Sequence, residues 1–318
     1  MRPHAPTLRQ LRYLTALYES RHFGKAAKVC HVTQSTLSTG LRELETLLDA
    51  RLVERTKRAV RFTPLGERVA AKAYEVLRQA DELVDLVTAA GEPLATELRM
   101  GVIPTIAPFY LPRVLPRLRA AYPMLKLYLK EDMSHVICEG LGRGQLDVLL
   151  LALPYACGDV ETAHLFNDPF YAAFRPEDMD ENMDEAGKSV SPATLTRHRL
   201  LLLEEGHCLK DHALAACGHP ALRPDEAILG TSLHTLVQMV DNHLGVTLLP
   251  KLAIDGGILE GTGLVVRPLA GSTPYREIGL IWRHNSPRAA EYRLLADFLR
   301  KLAPSAPMAS AIGRKAVA

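Results

Sequence analysis

Cys208 and Cys217, in the stretch LLLEEGHCLKDHALAACGHP, are the residues whose type and spacing suit chemistry best. A thiolate is a nucleophile, and two thiols can join as a disulfide. Nine positions separate the pair. On a helix they would stand about 13 Å apart along the axis, at ~1.5 Å per residue, and half a turn out of phase. A disulfide needs Cα atoms within about 7 Å, so the pair cannot close on an intact helix and oxidation would have to unwind it. Such spacing suits a switch with two folded forms. Gly206 precedes Cys208, a helix is expected to follow, and His207 and Lys210 are close in sequence. A helix N-terminus and nearby cations favour the thiolate. This predicts a lowered pKa and attack on peroxide, giving a sulfenic acid that Cys217 would resolve into a disulfide. The plainer reading, two buried inert cysteines, is the one composition alone favours. A zinc site built from His207, Cys208, His212, Cys217 and His219 matches no common ligand spacing and would sit on a helix. Neither a metal nor a cofactor is therefore expected. Cys30, Cys138 and Cys157 are expected as apolar fillers.

The elements that must position these residues follow from pattern. A chain of 318 residues suits about two domains at roughly 150 each. With 47% hydrophobic and 23% charged residues, a collagen, a disordered tail and a pore are excluded. No apolar run approaches the ~18 residues of a membrane helix. Charges interrupt the N-terminus, so no secretory signal is read and the cytoplasm is the expected compartment, where disulfide scaffolds are rare. Charge is uneven. Residues 1–66 hold 12 Lys/Arg against 5 Asp/Glu, a balance of +7 in a chain whose total is +2. A basic head on an acidic body suggests a polyanionic partner.

Apolar periodicity predicts helices over 8–20 and 25–29, and a third, capped by Thr33, lined by Leu37, Leu41, Leu44 and Leu48. Short strands at 52–55 and 59–63 flank a basic turn. Thr63-Pro64 opens a long helix to about Ala90, with Val69, Ala73, Val76, Leu77, Leu83 and Val87 near one face. From Leu98 onwards strands (98–103, 126–131, 147–153, 200–203, 246–249, 264–267, 278–282) alternate with helices (111–122, 134–143, 208–217, 232–242, 287–302). This alternation predicts an α/β fold with a mostly parallel sheet. Residues 179–191 read as a polar surface loop.

The head has the parts of a winged helix–turn–helix, a major-groove reader. Ala26 and Ala27 are small enough for close helix crossing, and Val32 is an apolar turn residue. Thr33, Gln34, Ser35, Thr36 and Ser38 put hydrogen-bonding groups at the start of the second helix, where Gln can pair with adenine and hydroxyls can serve bases or phosphates. Arg42, Arg55, Lys57, Arg58 and Arg61 are phosphate candidates. The stretches AAKVCHVTQSTLSTGLRELE and LVERTKRAVRFTPLGE, with the long helix after them, resemble the LysR-type transcriptional regulators. Ser35 departs from that family, which often has proline there. The resemblance implies a winged helix–turn–helix at 1–66, a dimerising linker helix at 67–92 and a two-lobed, periplasmic-binding-protein-like α/β regulatory domain at 93–303. Lobe I would hold about 96–170 and 273–303, lobe II about 171–272, with a flexible tail at 304–318. It also implies double-stranded promoter DNA as partner, a homotetramer made as a dimer of dimers, RNA polymerase as a further partner, and no membrane.

GHCLKDHALAAC, GVIPTIAP, TSLHTLVQMV and GVTLLP narrow the resemblance to the hydrogen-peroxide-sensing members of that family, over nearly the whole chain. It then implies a peroxidatic Cys208 and a resolving Cys217, with Thr105, Ser134, His207, Asp211 and Arg276 around the peroxide. Ser134 stands for a family threonine and keeps its hydroxyl. Lys210 stands where arginine is common, keeping the charge without the bidentate geometry. Peroxide is small and neutral, and Thr105, Ser134 and His207 offer the donors and acceptors to hold it; Thr105 also suits a helix N-cap. The expected function is a peroxide-sensing regulator rather than an enzyme. A Cys208–Cys217 disulfide would reshape the regulatory domain, re-space the heads and act as an activating signal at antioxidant gene promoters. Two other readings compete. One is a metabolite-responsive LysR-type regulator with structural cysteines, which a cleft ligand titrating without oxidant would mark. The other is a thiol peroxidase, against which the basic head argues.

Overall fold

A computed structural model describes residues 5–55, 60–178, 189–204, 206, 208–217, 224–270 and 274–304; at 55, 89, 192, 216, 217 and 224–229 it describes the backbone alone. The chain forms two compact units, Met1–Gly91 and Glu92–Ala318.

In the first unit α1 (Leu8–Ser20), α2 (Phe23–Val29) and α3 (Gln34–Leu47) precede a hairpin of β1 (Val53–Arg55) and β2 (Val60–Phe62), then α4 (Pro64–Ala89). Side chains satisfy the free N–H groups where helices begin. Thr7 and Gln10 form a reciprocal capping box on α1. Thr33 Oγ1 accepts from Thr36 N at 3.2 Å, and Thr63 Oγ1 from Gly66 N at 2.9 Å. The break after α1 has a specific cause. Arg21 turns left-handed (φ 47°), and His22 Nδ1 caps α2 by accepting from the N–H of Gly24 and Lys25. The Arg21 guanidinium then lies 4.3 Å from the Tyr18 ring and 4.7 Å from Phe62, joining wing to α1. A core of Leu14, Leu17, Ala26, Leu37, Leu41, Leu44 and Leu52 fills the centre. At Gly66 a Cβ would fall 2.0 Å from the Leu52 carbonyl oxygen, so α4 can start against the hairpin only with glycine there. The apolar stripe of α4 divides. Ala70, Ala73 and Tyr74 are buried, Tyr74 donating to Glu19 at 2.6 Å, whereas Leu83, Val84, Leu86 and Val87 are exposed.

The second unit holds β3 (Glu97–Val102), α5 (Ala107–Ala121), β4 (Lys126–Glu131), α6 (Ser134–Gly142), β5 (Val148–Leu153), β6 (Val160–Phe174), α7 (Pro192–Leu195) and β7 (Leu200–Leu203). There follow α8 (Cys208–Cys217), β8 (Pro224–Gly230), α9 (Leu233–Asp241), β9 (Val246–Pro250), α10 (Lys251–Asp255), β10 (Val265–Pro268), β11 (Tyr275–Arg283) and α11 (Ala289–Arg300). The strand order is β4-β3-β5-β11-β6-β9-β7-β8, with β10 also on β6.

This corrects the mostly parallel expectation. Pairs among β3, β4 and β5, and among β7, β8 and β9, are parallel, but every pair made by β6 and β11 is antiparallel. The connection from β5 to β6 spans only 154–159, too short for the helical crossover a parallel strand needs. The two lobes share β6. Its first part, to Pro169, pairs with β11, and from Phe170 on it pairs with β9 and β10. The run Val148–Leu153 is apolar because every residue of β5 is buried. Glu291, at the start of α11, accepts from Leu94 N at 2.9 Å and pairs with the buried Arg288, closing the unit on its first strand. No helix among the described residues is long and apolar enough to cross a membrane.

Candidate functional site

Arg276 anchors the site at the junction of the lobes. It stands opposite Asp168 in the β11–β6 register and is 1% exposed. Each of its three nitrogens donates: Nε to Asp168 Oδ2 at 3.0 Å, Nη1 to Thr105 Oγ1 at 2.7 Å, and Nη2 to the Thr105 carbonyl at 3.0 Å. The other Asp168 oxygen accepts from Leu252 N at 2.8 Å, so the second lobe contributes through α10. Burial raises the Asp168 carboxyl, while the Arg276 charge and the Leu252 N–H pull it back down. Thr105 does not cap α5, whose start at Ile106 has no side-chain cap. Its oxygen accepts from a guanidinium, so its own proton is left to donate elsewhere.

Cys208 is the first residue of α8 and is 5% exposed. The expected lowering of its pKa is reversed. Burial pushes the thiol above its ordinary value, against the Ser134 hydroxyl, the Arg276 charge, the Ala152 N–H and the residue's own N–H. A helix N-terminus supplies donors, but in a nearly dry site desolvation outweighs them. Ser134, the first residue of α6, is fully buried, and its Oγ has no other partner among the described residues. Gly206 has φ +98°, and a Cβ there would lie 2.9 Å from Met133 Sδ, so the turn into α8 passes tightly over the start of α6.

The structure thus gathers Thr105, Ser134, Cys208 and Arg276. Asp211 is exposed, and its charge acts on Tyr155 and His212. His207 lies outside the described residues. Cys217 closes α8, its side chain likewise outside them, and the intact helix puts its Cα about 13 Å along the axis from that of Cys208.

Two contributors, Asp168 and Tyr155, were not singled out in the sequence, and a third, His212, was named there only as a ligand of the zinc site that was set aside. Asp168 sits inside β6, where Asn167, Asp168 and Pro169 hide the strand. His212, one turn after Cys208, meets the Pro154 carbonyl at 3.3 Å through Nε2. Burial lowers the pKa of this imidazole. Tyr155 is half-buried beside Cys208, and its pKa is raised, first by burial and then by the neighbouring thiolate. The i, i+4 spacing on α8 was the available signal for His212. Cys138 and Cys157 also need correction: they are not apolar fillers but form a disulfide, with Cα atoms 5.1 Å apart. Cys30 is half-buried in the head, its thiol 3.8 Å from the Arg12 carbonyl.

Comparison with known families places both units. The LysR substrate binding domain matches residues 91–304, and the bacterial regulatory helix-turn-helix protein of the lysR family matches residues 8–67. The chain belongs to the LysR family. Curated relatives of this LysR regulator include the HTH-type transcriptional regulator EstR of Acinetobacter baylyi, 41% identical over 93% of this chain and 97% of EstR. The DNA-binding transcriptional dual regulator OxyR of Escherichia coli is 38% identical over 92% of this chain and 94% of its own length. Among solved structures, full-length OxyR of Pseudomonas aeruginosa, a cysteine-to-aspartate variant, gives a TM-score of 0.75 at 38% identity and covers 93% of this chain and 95% of that one. A cysteine-to-serine mutant of Corynebacterium glutamicum OxyR, H2O2-bound, gives 0.62 at 31% identity, covering 94% and 93%. The LysR protein described here therefore closely resembles OxyR.

The head of this LysR protein exposes Thr33, Gln34, Ser35 and Thr36 along the start of α3, with Ser38 half-buried and Arg42 exposed a turn further on. The Thr33 hydroxyl is engaged with those of Ser35 and Thr36 at 2.9 and 2.8 Å. Arg61 is exposed on β2. The Arg55 side chain lies outside the described residues, as do Lys57 and Arg58.

Proposed function

We propose that this LysR regulator senses hydrogen peroxide through Cys208 and reports it to double-stranded promoter DNA in the cytoplasm. The observation that carries the reading is the buried Cys208 thiol beside the buried Ser134 hydroxyl and the Arg276–Thr105–Asp168 network, a nearly dry site whose polar groups suit a small neutral molecule such as peroxide. Thr105 and Ser134 hold the peroxide. The Cys208 thiolate attacks one oxygen, the O–O bond breaks, and the departing hydroxide takes a proton to leave as water. Asp168 and Leu252 keep Arg276 aimed at Thr105, which can donate to that oxygen; His207, Asp211 and the neutral His212 complete the proton network. The Cys208 sulfenic acid then condenses with the Cys217 thiol, releasing a second water and forming a disulfide. Because α8 holds the two ends apart, that step requires the helix to unwind. Unwinding changes how regulatory domains (93–303) of neighbouring subunits pack, in a homotetramer paired through the 67–92 helix. The exposed Leu83, Val84, Leu86 and Val87 support such pairing. The heads (1–66), with Thr33, Gln34, Ser35, Thr36 and Ser38 at the bases and Arg42, Arg55, Lys57, Arg58 and Arg61 on phosphates, are re-spaced. RNA polymerase then reads the change at antioxidant promoters.

The test uses DNA that the reduced full chain selects from a randomised pool, footprinted before and after peroxide. The wild type is expected to change its footprint, and Cys208→Ser to bind the same DNA without any change. A Cys208→Ser protein that responds normally overturns the reading. EstR, at 41% identity, is a LysR regulator under a different name, so a second reading stands beside the first, a metabolite-responsive regulator with structural cysteines; a footprint shift caused by a small metabolite in Cys208→Ser would establish it.

A further inference from the structure

Cys138 and Cys157 are joined across 19 positions, with Cα atoms 5.1 Å apart. Cys138 lies on α6, one turn after Ser134 and hence on the same face. Cys157 lies in the 154–159 connection, which also carries Tyr155, beside Cys208, and Pro154, whose carbonyl meets His212 of α8. The bridge therefore ties the helix that offers the Ser134 hydroxyl to the loop that holds the helix of Cys208. Both cysteines are half-buried, within reach of small thiols.

We infer that Cys138–Cys157 is a second redox couple, exchanging with small cellular thiols and their disulfides, whose closed form positions Ser134 and the 154–159 connection for reaction at Cys208. The effect on Cys208 rests on the peroxide reading above, whereas the exchange does not. In the exchange a thiolate attacks one bridge sulfur and the S–S bond breaks. The sulfur released takes a proton, and a mixed disulfide is left on the other. A second small thiol displaces that cysteine, giving two free thiols on the protein and one small disulfide. The reverse sequence closes the bridge, and no peroxide takes part. The regulator would thus combine two inputs, the thiol–disulfide balance through the couple and peroxide through Cys208. Cys138 and Cys157 are positioning residues and touch no peroxide.

The test equilibrates the full chain in glutathione buffers of graded reduced-to-oxidised ratio. One portion is quenched in acid, alkylated and analysed by mass spectrometry for the 138–157 linkage. The other is freed of glutathione and given peroxide, and the loss of the Cys208 that remains a free thiol is timed. The bridge is expected to open in one two-electron transition, with the Cys208 rate falling about tenfold across the same midpoint as the site loses its fixed geometry. The doubly substituted Cys138→Ala/Cys157→Ala protein is expected to be slow at every ratio. A bridge that never opens, or an unchanged Cys208 rate across its opening, overturns the inference and leaves the peroxide reading standing. If Cys208 is oxidised in neither state, the peroxide reading falls and takes this coupling with it.

Discussion

Thr105 shows how a single hydroxyl acquires a role. With Arg276 Nη1 donating to its oxygen at 2.7 Å, the Thr105 proton is free to point at an incoming oxygen. Thr105→Val keeps the shape and removes that donor. Stopped-flow oxidation of Cys208 by peroxide is expected to slow about 10²-fold, as for other single donors aimed at a developing oxyanion, and the fold to lose about 1–3 kcal/mol because the buried Arg276 Nη1 also loses its acceptor. Cys208 itself is governed by burial. Since the thiolate is the nucleophile and the folded-state pKa lies above the ordinary 9.0, the fraction able to react grows as pH rises and does not saturate below that value. The rate constant for peroxide should therefore climb about tenfold per pH unit from neutrality upwards, and a plateau reached by about pH 8 would contradict the assignment. Sequence proximity of His207 and Lys210 suggested the opposite sign, because a sequence shows which cations are near but not how much water a fold removes.

At the scale of elements, the proposed switch places two demands on α8: it must be helical to hold Cys208 in the site and must melt to let Cys217 approach. His212 couples it to the 154–159 connection. Its folded pKa is depressed below 6.5, so the unfolded chain binds the proton more readily. The stability this residue contributes is present above pH 6.5 and is lost as pH falls through the folded value. Denaturant melts of the full chain should show the second unit weakening below pH 6.5, and His212→Gln should flatten that slope; an identical slope in the variant would remove His212 as its source. Much of this frame was legible in the sequence. The bounds of α1, β4, β7 and α8 are those its periodicity predicts, and Thr33 and Thr63 cap the helices they were read to cap. What stayed hidden has physical causes. The Asn167-Asp168-Pro169 run interrupts the alternation of β6, so the strand that joins the lobes and carries Asp168 was not seen. β8 begins with Pro224 and two acids, which read as loop. Thr105 and Arg276 came from a family resemblance, because residues 171 positions apart meet only in the folded sheet.

At the scale of the molecule, the proposed function requires a chemical event at one sulfur to reach DNA through a unit whose two parallel groups, β3–β5 and β7–β9, are joined by the antiparallel pair β6 and β11. That architecture suits a two-state rearrangement. Closed cores such as the fully buried β5 do not deform gradually, so under the proposed function a change at α8 would be passed on as a repacking of lobes and neighbouring subunits. The Cys138–Cys157 bridge was invisible in the sequence, because the composition argued for unpaired thiols and the closeness of α6 to the 154–159 connection is a property of the fold. It leaves the central claim with one direct measurement: peptide mapping of the alkylated full chain before and after one equivalent of peroxide. The account predicts that free Cys208 disappears and a 208–217 linked peptide takes its place in comparable amount, reversible by a thiol reductant. Cys208 recovered as an unmodified thiol, or joined to any cysteine other than Cys217, would contradict it.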